Sequence, residues 1–161
     1  MERGNPLLLV DVDGVLNPFA AEACPEGFRE YDFFAPGSEQ MVRLSGSHGQ
    51  WLRDLSAKFD LIWATGWGHE AGRLISPVLG LPRFPTIVFP PSPFDPSWKL
   101  PTIEAFVGEQ PLAWIDDILS PTVQAWAAQR TAPTLLIAID PAIGLTFKAV
   151  EQLHAWADRL R

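Results

Sequence analysis

The chain has a single cysteine, Cys24, and no cluster of histidine and cysteine residues at the spacing of a zinc site. One cysteine excludes an internal disulfide framework, so we expect a protein of a reducing compartment. Long apolar runs are absent as well. The run near the N-terminus, Leu7–Val10, leads directly into Asp11 and is far too short for a membrane span or a signal-peptide core. These absences predict a soluble, cytoplasmic protein.

Positive charge is also scarce. The chain has 12 Lys and Arg against 19 Asp and Glu, a net charge of −7. No basic patch or stripe of the kind that binds nucleic acid is visible, and no glycine-rich loop with a following Lys-Ser or Lys-Thr is present for nucleotide phosphates. We therefore expect part of the negative charge to gather in one site, where a divalent cation offsets it. A polyanionic substrate would need arginines close to that site.

What the chain contains is an alternation of short apolar runs and amphipathic segments. Its 161 residues are enough for one domain with a proper core, and we predict a single domain over 1–161. Buried strands are predicted at 7–10, 60–64, 86–89, 112–115 and 134–139, and helices at 47–58, 69–79, 98–107, 121–130 and 146–160. This order predicts an α/β fold with a doubly wound, mostly parallel five-stranded sheet and helices on both faces.

The stretch 18–46 has no sustained strand or helix period, and we interpret it as a loop or flap insert. Loops of this length in a compact domain are usually functional. Its segment 28–34 could form a short strand or hairpin that folds over a site. The alternative is a packed surface loop whose aromatic residues are anchors.

The most informative stretch is Leu7–Asn17, where a buried strand leads into two carboxylates one residue apart, followed by glycine. In an extended chain, Asp11 and Asp13 point the same way from positions roughly 6–7 Å apart, far enough to bracket a reacting phosphorus atom. Gly14 lets the backbone turn away without a side chain in the site. The alternative is an Asx-type turn, in which the aspartates bind local backbone amides.

Polar residues follow two further predicted strands: Thr65 follows one of them, and Asp116 and Asp117 follow the other. In parallel sheets, ligands bind beyond the carboxyl ends of the strands, so we expect these three residues to meet Asp11 and Asp13 there. Four carboxylates with one hydroxyl are typical of a site for a hard metal ion. Mg²⁺, which prefers oxygen ligands and a substrate phosphate, is the cofactor that we predict.

Each residue of this site has an expected role. The acids at 11 and at 116 and 117 are the expected metal ligands, together with Asp13 and the backbone carbonyl of Val12. Thr65, with the amides of Gly66 and Trp67, would bind phosphoryl oxygens. Lys99 would supply a cation for the same phosphoryl group. The ring of Trp67 could also stack on a base or pack in the core.

The two aspartates of the first strand end divide the chemistry. Asp11, beside the metal and Lys99, should stay ionised and attack phosphorus, which gives an aspartyl-phosphate. Asp13 could protonate the leaving oxygen and later deprotonate the water that hydrolyses the intermediate.

This pattern resembles the haloacid dehalogenase (HAD) superfamily of phosphohydrolases. The matching segments run in order over essentially the whole chain: Asp11–Asn17, Thr65 within Trp63–Trp67, Lys99, and Asp116 with Asp117. The resemblance implies a Rossmann-like core in which the first aspartate is the nucleophile and the second is the acid/base. Because the second aspartate occurs in the phosphatases and not in the dehalogenases, Asp13 implies phosphoryl chemistry.

In this family a cap domain inserted after the first or third motif usually sets substrate choice. The interval 18–60 has room only for a loop or small flap beside one helix, and the interval 100–113 has room for one helix, so no substantial cap is expected. Members without a cap often take large substrates. The sequences of Asp11–Asn17 and Trp63–Trp67 also resemble those of HAD domains associated with RNA-repair proteins, which act on polynucleotide ends.

Three functions are compatible with these features. The leading hypothesis is a Mg²⁺-dependent phosphatase that acts on polynucleotide terminal phosphates or another macromolecular phosphate. The second is a phosphatase of small molecules such as nucleotides or sugar phosphates, with the insert closing over the site. The third is a non-catalytic module that binds phosphate or a protein through the same fold. Such a module has no need of Asp13.

Overall fold

The structure is a computed structural model and describes residues 4–34, 41–91 and 95–161. In chain order the described elements are β1 (Leu7–Val10), β2 (Arg29–Tyr31), β3 (Val42–Leu44), α1 (Gly46–Leu55), β4 (Asp60–Trp63), a π-helical turn (Ala71–Ile75), α2 (Ser76–Leu79), α3 (Leu100–Val107), β5 (Leu112–Asp116), α4 (Pro121–Gln129), β6 (Thr134–Ala138) and α5 (Phe147–Arg159). Within these ranges, no helix is both long and apolar enough to cross a membrane.

The main sheet has the strand order β4-β1-β5-β6, and all of its pairs are parallel. β1 lies in the interior of the sheet, and all four of its residues are buried because helices cover both faces. Leu8 and Val10 pack into a core with α1, α2 and α5, whereas Leu7 and Leu9 pack into a second core with α3 and α4. The predicted α/β fold with a parallel sheet is therefore confirmed.

The prediction of five strands in this sheet is wrong, because the segment 86–89 does not form a strand. It contributes one isolated parallel bridge, between Thr86 and Trp63, in which the Ile87 amide donates to the Trp63 carbonyl. Pro85 precedes the bridge and Pro90 and Pro91 follow it, and proline has no N–H to extend a ladder. The sheet in the described residues thus has four strands.

The segment 28–34 contains one short strand, β2, and its antiparallel partner β3 lies outside the segment, in the later part of the insert. β2 and β3 form an antiparallel pair, with Arg29 opposite Leu44 and Tyr31 opposite Val42. After β2, Phe33 stacks on Tyr31 with ring centroids 5.6 Å apart. Residues 35–40 of the predicted insert lie outside the described residues.

The helix predicted at 69–79 is divided in two. A π-helical turn over Ala71–Ile75 gives way to α2, which begins at Ser76 with Pro77 in its first turn. Because Pro77 has no N–H, it cannot continue the hydrogen-bond ladder of the preceding turn, but it fits the start of a new helix. The divided segment follows Thr65 and Trp67, so it lies next to the carboxyl end of β4.

Candidate functional site

The carboxyl ends of β1, β4 and β5 meet at one edge of the sheet, and a cavity of about 270 Å³ lies there. Seven of the residues predicted from the sequence line it: Asp11, Asp13, Thr65, Gly66, Lys99, Asp116 and Asp117. The parallel topology thus brings these residues together from distant parts of the chain. Trp67 lies beside the cavity, in a neighbouring cleft that Asp13 also lines.

Lys99 is the cation at the base of the cavity. Its Nζ lies 3.1 Å from Oδ2 of Asp11 and 2.7 Å from Oδ2 of Asp116, and it donates to the Ala64 carbonyl at 2.9 Å. Lys99, Asp11 and Asp116 are all buried. Because the ammonium group has three N–H donors, these three contacts use all of them. In this arrangement Lys99 offsets part of the charge of the two carboxylates, and its predicted contact with a phosphoryl group would require one of these contacts to be exchanged.

Three carboxylates form a group that could hold a metal ion. Asp11, Asp116 and Asp117 each offer an oxygen atom, and these oxygens lie within 4.8 Å of one another. An all-oxygen set of this kind suits a hard divalent cation. Asp13, the fourth carboxylate predicted for this site, lies outside the cluster. Its side chain accepts hydrogen bonds from Asn17 Nδ2 and Trp67 Nε1, each at 3.0 Å.

The backbone carbonyl of Val12 is not available in the way that the sequence suggested. It accepts the N–H groups of Val15 at 3.2 Å, Leu16 at 2.8 Å and Asn17 at 2.9 Å, which close the turn after β1. A carbonyl oxygen has two lone pairs, and the turn uses both. The structure therefore does not support Val12 as a ligand.

Two carboxyl groups of this cluster, those of Asp11 and Asp117, have pKa values far above the usual range. Burial raises the pKa of Asp11 from 3.8 to about 7; Lys99 opposes this rise, and the charge of Asp116 adds to it. Burial, together with a hydrogen bond and the charge from Asp116, raises the pKa of Asp117 to about 7. At neutral pH, Asp11 would thus be only partly ionised without a bound metal ion, even with Lys99 beside it. The expectation that Asp11 stays ionised depends on a bound dication, which favours the charged form.

The pKa of Lys99 is raised, although burial by itself lowers the pKa of a cationic group. Burial lowers it, but the negative charges of Asp11 and Asp116 raise it more, and the net direction is upward. Lys99 is therefore protonated over the whole physiological range. Its charge offsets one of the carboxylates and leaves the rest for a metal ion.

Gly14 has two reasons to be glycine. Its φ of +84° lies in the left-handed region that side chains rarely adopt. In addition, a Cβ at this position would overlap the carboxyl group of Asp117. The sequence predicted the turn, but the contact with Asp117 depends on the approach of the β5 end to the β1 end. Gly14 thus allows the third carboxylate of the cluster to reach its place.

Thr65, Gly66 and Trp67 form the turn after β4. Thr65 is buried, and its Oγ1 accepts the backbone N–H of Trp67 at 3.2 Å. Gly66 is exposed and lines the cavity. The amide of Trp67 is thus occupied by Thr65, whereas Gly66 faces the cavity, and its role in binding phosphoryl oxygens stays a prediction.

Several residues that support the site were not singled out from the sequence. Asn17 binds Asp13, and the indole of Trp114 donates to Asp116 Oδ2 at 3.3 Å. Ser97 lines the cavity and shares a 2.6 Å hydrogen bond with Ser120, the N-cap of α4. Asn17 belongs to the segment Asp11–Asn17 that resembles the HAD motif, so the sequence could have indicated that it supports the site. No pattern in the sequence pairs Ser97 with Ser120.

The raised pKa values predict how stability depends on pH. In the unfolded chain an aspartate ionises near pH 4, whereas in the folded, cation-free protein Asp11 and Asp117 ionise near pH 7. Between these values the folded state binds more protons than the unfolded state, so the free energy of unfolding falls as pH rises. For buried Asp11 the rise from 3.8 to about 7 corresponds to roughly 4 kcal/mol. Half-buried Asp117 adds less, because water screens its charge.

Denaturant titrations at pH 5 and pH 8, in EDTA and in excess Mg²⁺, measure this effect. In EDTA we expect the protein to be less stable at pH 8 by at least about 2 kcal/mol. Mg²⁺ should restore the stability at pH 8 and change little at pH 5, because protons already neutralise the cluster there. Equal stability at the two pH values in EDTA would contradict the electrostatics described above.

Comparison with known proteins identifies no family for the chain. No protein-family model matches it, and no curated protein matches it in sequence. Its function is therefore inferred from the residues of the site and their geometry.

Proposed function

We propose that this protein is a Mg²⁺-dependent phosphatase of the HAD superfamily that acts through an aspartyl-phosphate on Asp11. The observation that carries the proposal is the placement of the Asp11 carboxylate at the end of β1, between the Lys99 ammonium group at 3.1 Å and the other carboxylates of the cluster. A carboxylate held in this way is a suitable nucleophile, because its charge is balanced while one side faces the cavity.

The residues present fit a Mg²⁺ ion. Asp11, Asp116 and Asp117 would hold it, and all three offer carboxylate oxygens without a nitrogen or sulfur ligand. When bound, the ion would neutralise charge on the cluster and on the phosphoryl oxygens. The raised pKa values of Asp11 and Asp117 favour this assignment, since a dication would offset the cost of burial and the charge of Asp116, which together raise them.

The side chains supply the remaining chemistry. An ionised oxygen of Asp11 attacks phosphorus, and the bond from phosphorus to the leaving oxygen breaks as Asp13 gives that oxygen a proton. In the second half, Asp13 takes a proton from a water molecule that attacks phosphorus. The bond between Asp11 and phosphorus then breaks, which releases inorganic phosphate and returns Asp11 to its carboxylate form.

One observation favours the small-molecule alternative over a polynucleotide end as the substrate. Arg43, which lines the cleft beside Asp13, donates to the carbonyls of Pro18 and Ala21 and faces Glu30 at 3.8 Å. It is therefore engaged within the protein, and the same cleft carries the carboxylates of Asp13 and Glu30. A second phosphate of a polynucleotide would meet negative charge there.

Hydrolysis of 4-nitrophenyl phosphate tests the proposed function. We expect turnover in Mg²⁺ and a fall in rate of roughly 10²-fold or more in EDTA. The reason is that the cation lowers the free energy of the charged transition state by several kcal/mol. Readdition of Mg²⁺ should restore the rate. Full turnover in EDTA, or dependence on zinc alone, would refute the proposal.

The same assay separates the two substrate classes. Values of kcat/KM should be compared for oligonucleotides with a 3′- or 5′-phosphate, nucleoside monophosphates and sugar phosphates. The charges of the cleft predict that the best substrate is a free metabolite with an uncharged leaving group. A higher kcat/KM for an oligonucleotide would instead favour polynucleotide ends.

A further inference from the structure

Asp13 differs from the other acids of the site in its surroundings. It is exposed, whereas Asp11 and Asp116 are buried. Both of its carboxylate oxygens nevertheless have protein donors: Asn17 Nδ2 lies 3.0 Å from Oδ1, and the indole Nε1 of Trp67 lies 3.0 Å from Oδ2. Hydrogen bonds to a charged acceptor are about twice as strong as neutral ones. The two bonds thus hold an exposed side chain in one orientation.

The indole that makes one of these bonds is itself held in place. The backbone N–H of Trp67 donates to Thr65 Oγ1, and its ring contacts two aromatic rings that follow β2. Phe33 meets it edge-on at 6.3 Å between centroids, and Phe34 lies at 5.7 Å. Aromatic pairs of this kind stabilise a fixed ring orientation beyond the contribution of the area that they bury. The hairpin therefore orients the donor that reaches Asp13.

The second donor is supported by the same hairpin. Asn17 is buried, and its Oδ1 accepts the backbone N–H of Arg43, in β3, at 3.0 Å. This bond leaves the Asn17 amide nitrogen to face Asp13. Both hydrogen bonds to Asp13 thus depend on the insert, one through β3 and the other through Phe33 and Phe34.

We propose that Trp67 is a positioning residue for Asp13. Its indole N–H keeps the Asp13 carboxyl group at the boundary between the cavity that holds Asp11 and Lys99 and the neighbouring cleft that Trp67 lines. The inference rests on the proposed function, in which Asp13 is the acid/base. The cleft has a volume of about 560 Å³, and Asp13 and Phe19 line both spaces. A leaving group seated in the cleft would have its oxygen next to Asp13. Because each carboxylate oxygen has a second lone pair, the indole bond leaves room for the transferred proton.

The first test is Trp67→Phe, which removes the N–H and keeps an aromatic ring against the hairpin. For an alkyl phosphate, whose alkoxide leaves only with a proton, kcat/KM should fall about tenfold or more. For 4-nitrophenyl phosphate, whose phenolate leaves without one, kcat/KM should change by less than about twofold. Trp51→Phe is the matched control: this half-buried tryptophan on α1 packs against His48 and Phe147, away from the cavity, and both values should stay unchanged.

The second test reads the contact without turnover. The indole N–H signal of Trp67 in an NMR spectrum is identified by its loss in Trp67→Phe. In Asp13→Asn this signal should move upfield, because the charged acceptor is gone. In Asp60→Asn it should stay in place, since Asp60 is exposed at the opposite end of β4, where it faces Asn5.

Each outcome decides between the two claims. Equal losses for both substrates in Trp67→Phe would mean a structural role only, and an indole signal that ignores Asp13→Asn would mean that the contact is absent. Either result overturns the inference and leaves the phosphatase activity standing. A wild-type protein without Mg²⁺-dependent hydrolysis of any phosphate ester instead refutes the proposed function, and the role inferred for Trp67 falls with it.

Discussion

Asp11→Asn should abolish turnover and leave the protein folded. An amide cannot attack phosphorus, so the covalent route is lost, and we expect kcat to fall by roughly 10⁴-fold or more, as in other enzymes that lose their nucleophile. Steady-state kinetics with an aryl phosphate in excess Mg²⁺ measure the loss. Near-normal turnover in this variant would contradict the covalent mechanism.

The fold should tolerate this change for electrostatic reasons. Asparagine has almost the same shape as aspartate, and Lys99 keeps its contacts with Asp116 at 2.7 Å and with the Ala64 carbonyl. The variant also removes one negative charge from a cluster that resists ionisation. In EDTA at pH 8, its melting temperature should therefore be no lower than that of the wild type. Asp60→Asn, an exposed change at the opposite end of the sheet, is the matched control and should keep full activity.

Lys99→Met should damage both stability and activity. Methionine fills the space of the lysine side chain beside Phe89 and Trp98, whose ring centroids lie 5.9 and 5.8 Å from Nζ. It leaves the buried carboxylates of Asp11 and Asp116 without their cation, and breaking a buried pair in this way costs about 3–5 kcal/mol. Turnover should fall roughly 10³-fold, because a preorganised charge next to the nucleophile is lost. Chemical denaturation and steady-state kinetics measure the two effects.

A surface pair supplies the control for this variant. Lys58 contacts Asp158 at 2.9 Å, and the carboxylate of that pair is well exposed. Lys58→Met should therefore change the free energy of unfolding by no more than about 1 kcal/mol and leave kcat unchanged. Excess Mg²⁺ should return part of the stability lost in Lys99→Met, since it supplies positive charge to the same cluster. Wild-type stability in Lys99→Met would contradict the role of Lys99.

The sequence was sufficient to predict that the site residues meet in one place, because their meeting follows from the topology of the sheet. Leu7–Val10 is apolar at every position, which requires cover on both faces and so indicates an interior strand of a parallel sheet. Once the strands are parallel, all of their carboxyl ends lie at one edge. The meeting of Asp11, Thr65 and Asp116 in one cavity follows from that rule alone.

The finer arrangement depends on contacts that no local pattern encodes. The period-two rule placed Asp11 and Asp13 on one side, and both line the cavity, but β1 ends at Val10 and Asp13 lies in the turn that follows. The turn uses the Val12 carbonyl, and Asp13 finds Trp67, which is far away along the chain. The failure at 86–89 has a different origin. Its composition suits a strand, but the flanking prolines limit it to one bridge.

Trapping the covalent intermediate tests the central claim most directly. The protein is mixed with substrate in Mg²⁺, quenched with acid during turnover and treated with borohydride, which reduces an acyl phosphate on aspartate to homoserine. Mass spectrometry of the peptide that carries Asp11–Asn17 should then find homoserine at position 11, and none at position 13. With 4-nitrophenyl phosphate, whose phenolate leaves without a proton, Asp13→Asn should raise its yield, because the water that clears the intermediate loses its base. Active turnover without any modification of Asp11 would contradict the account.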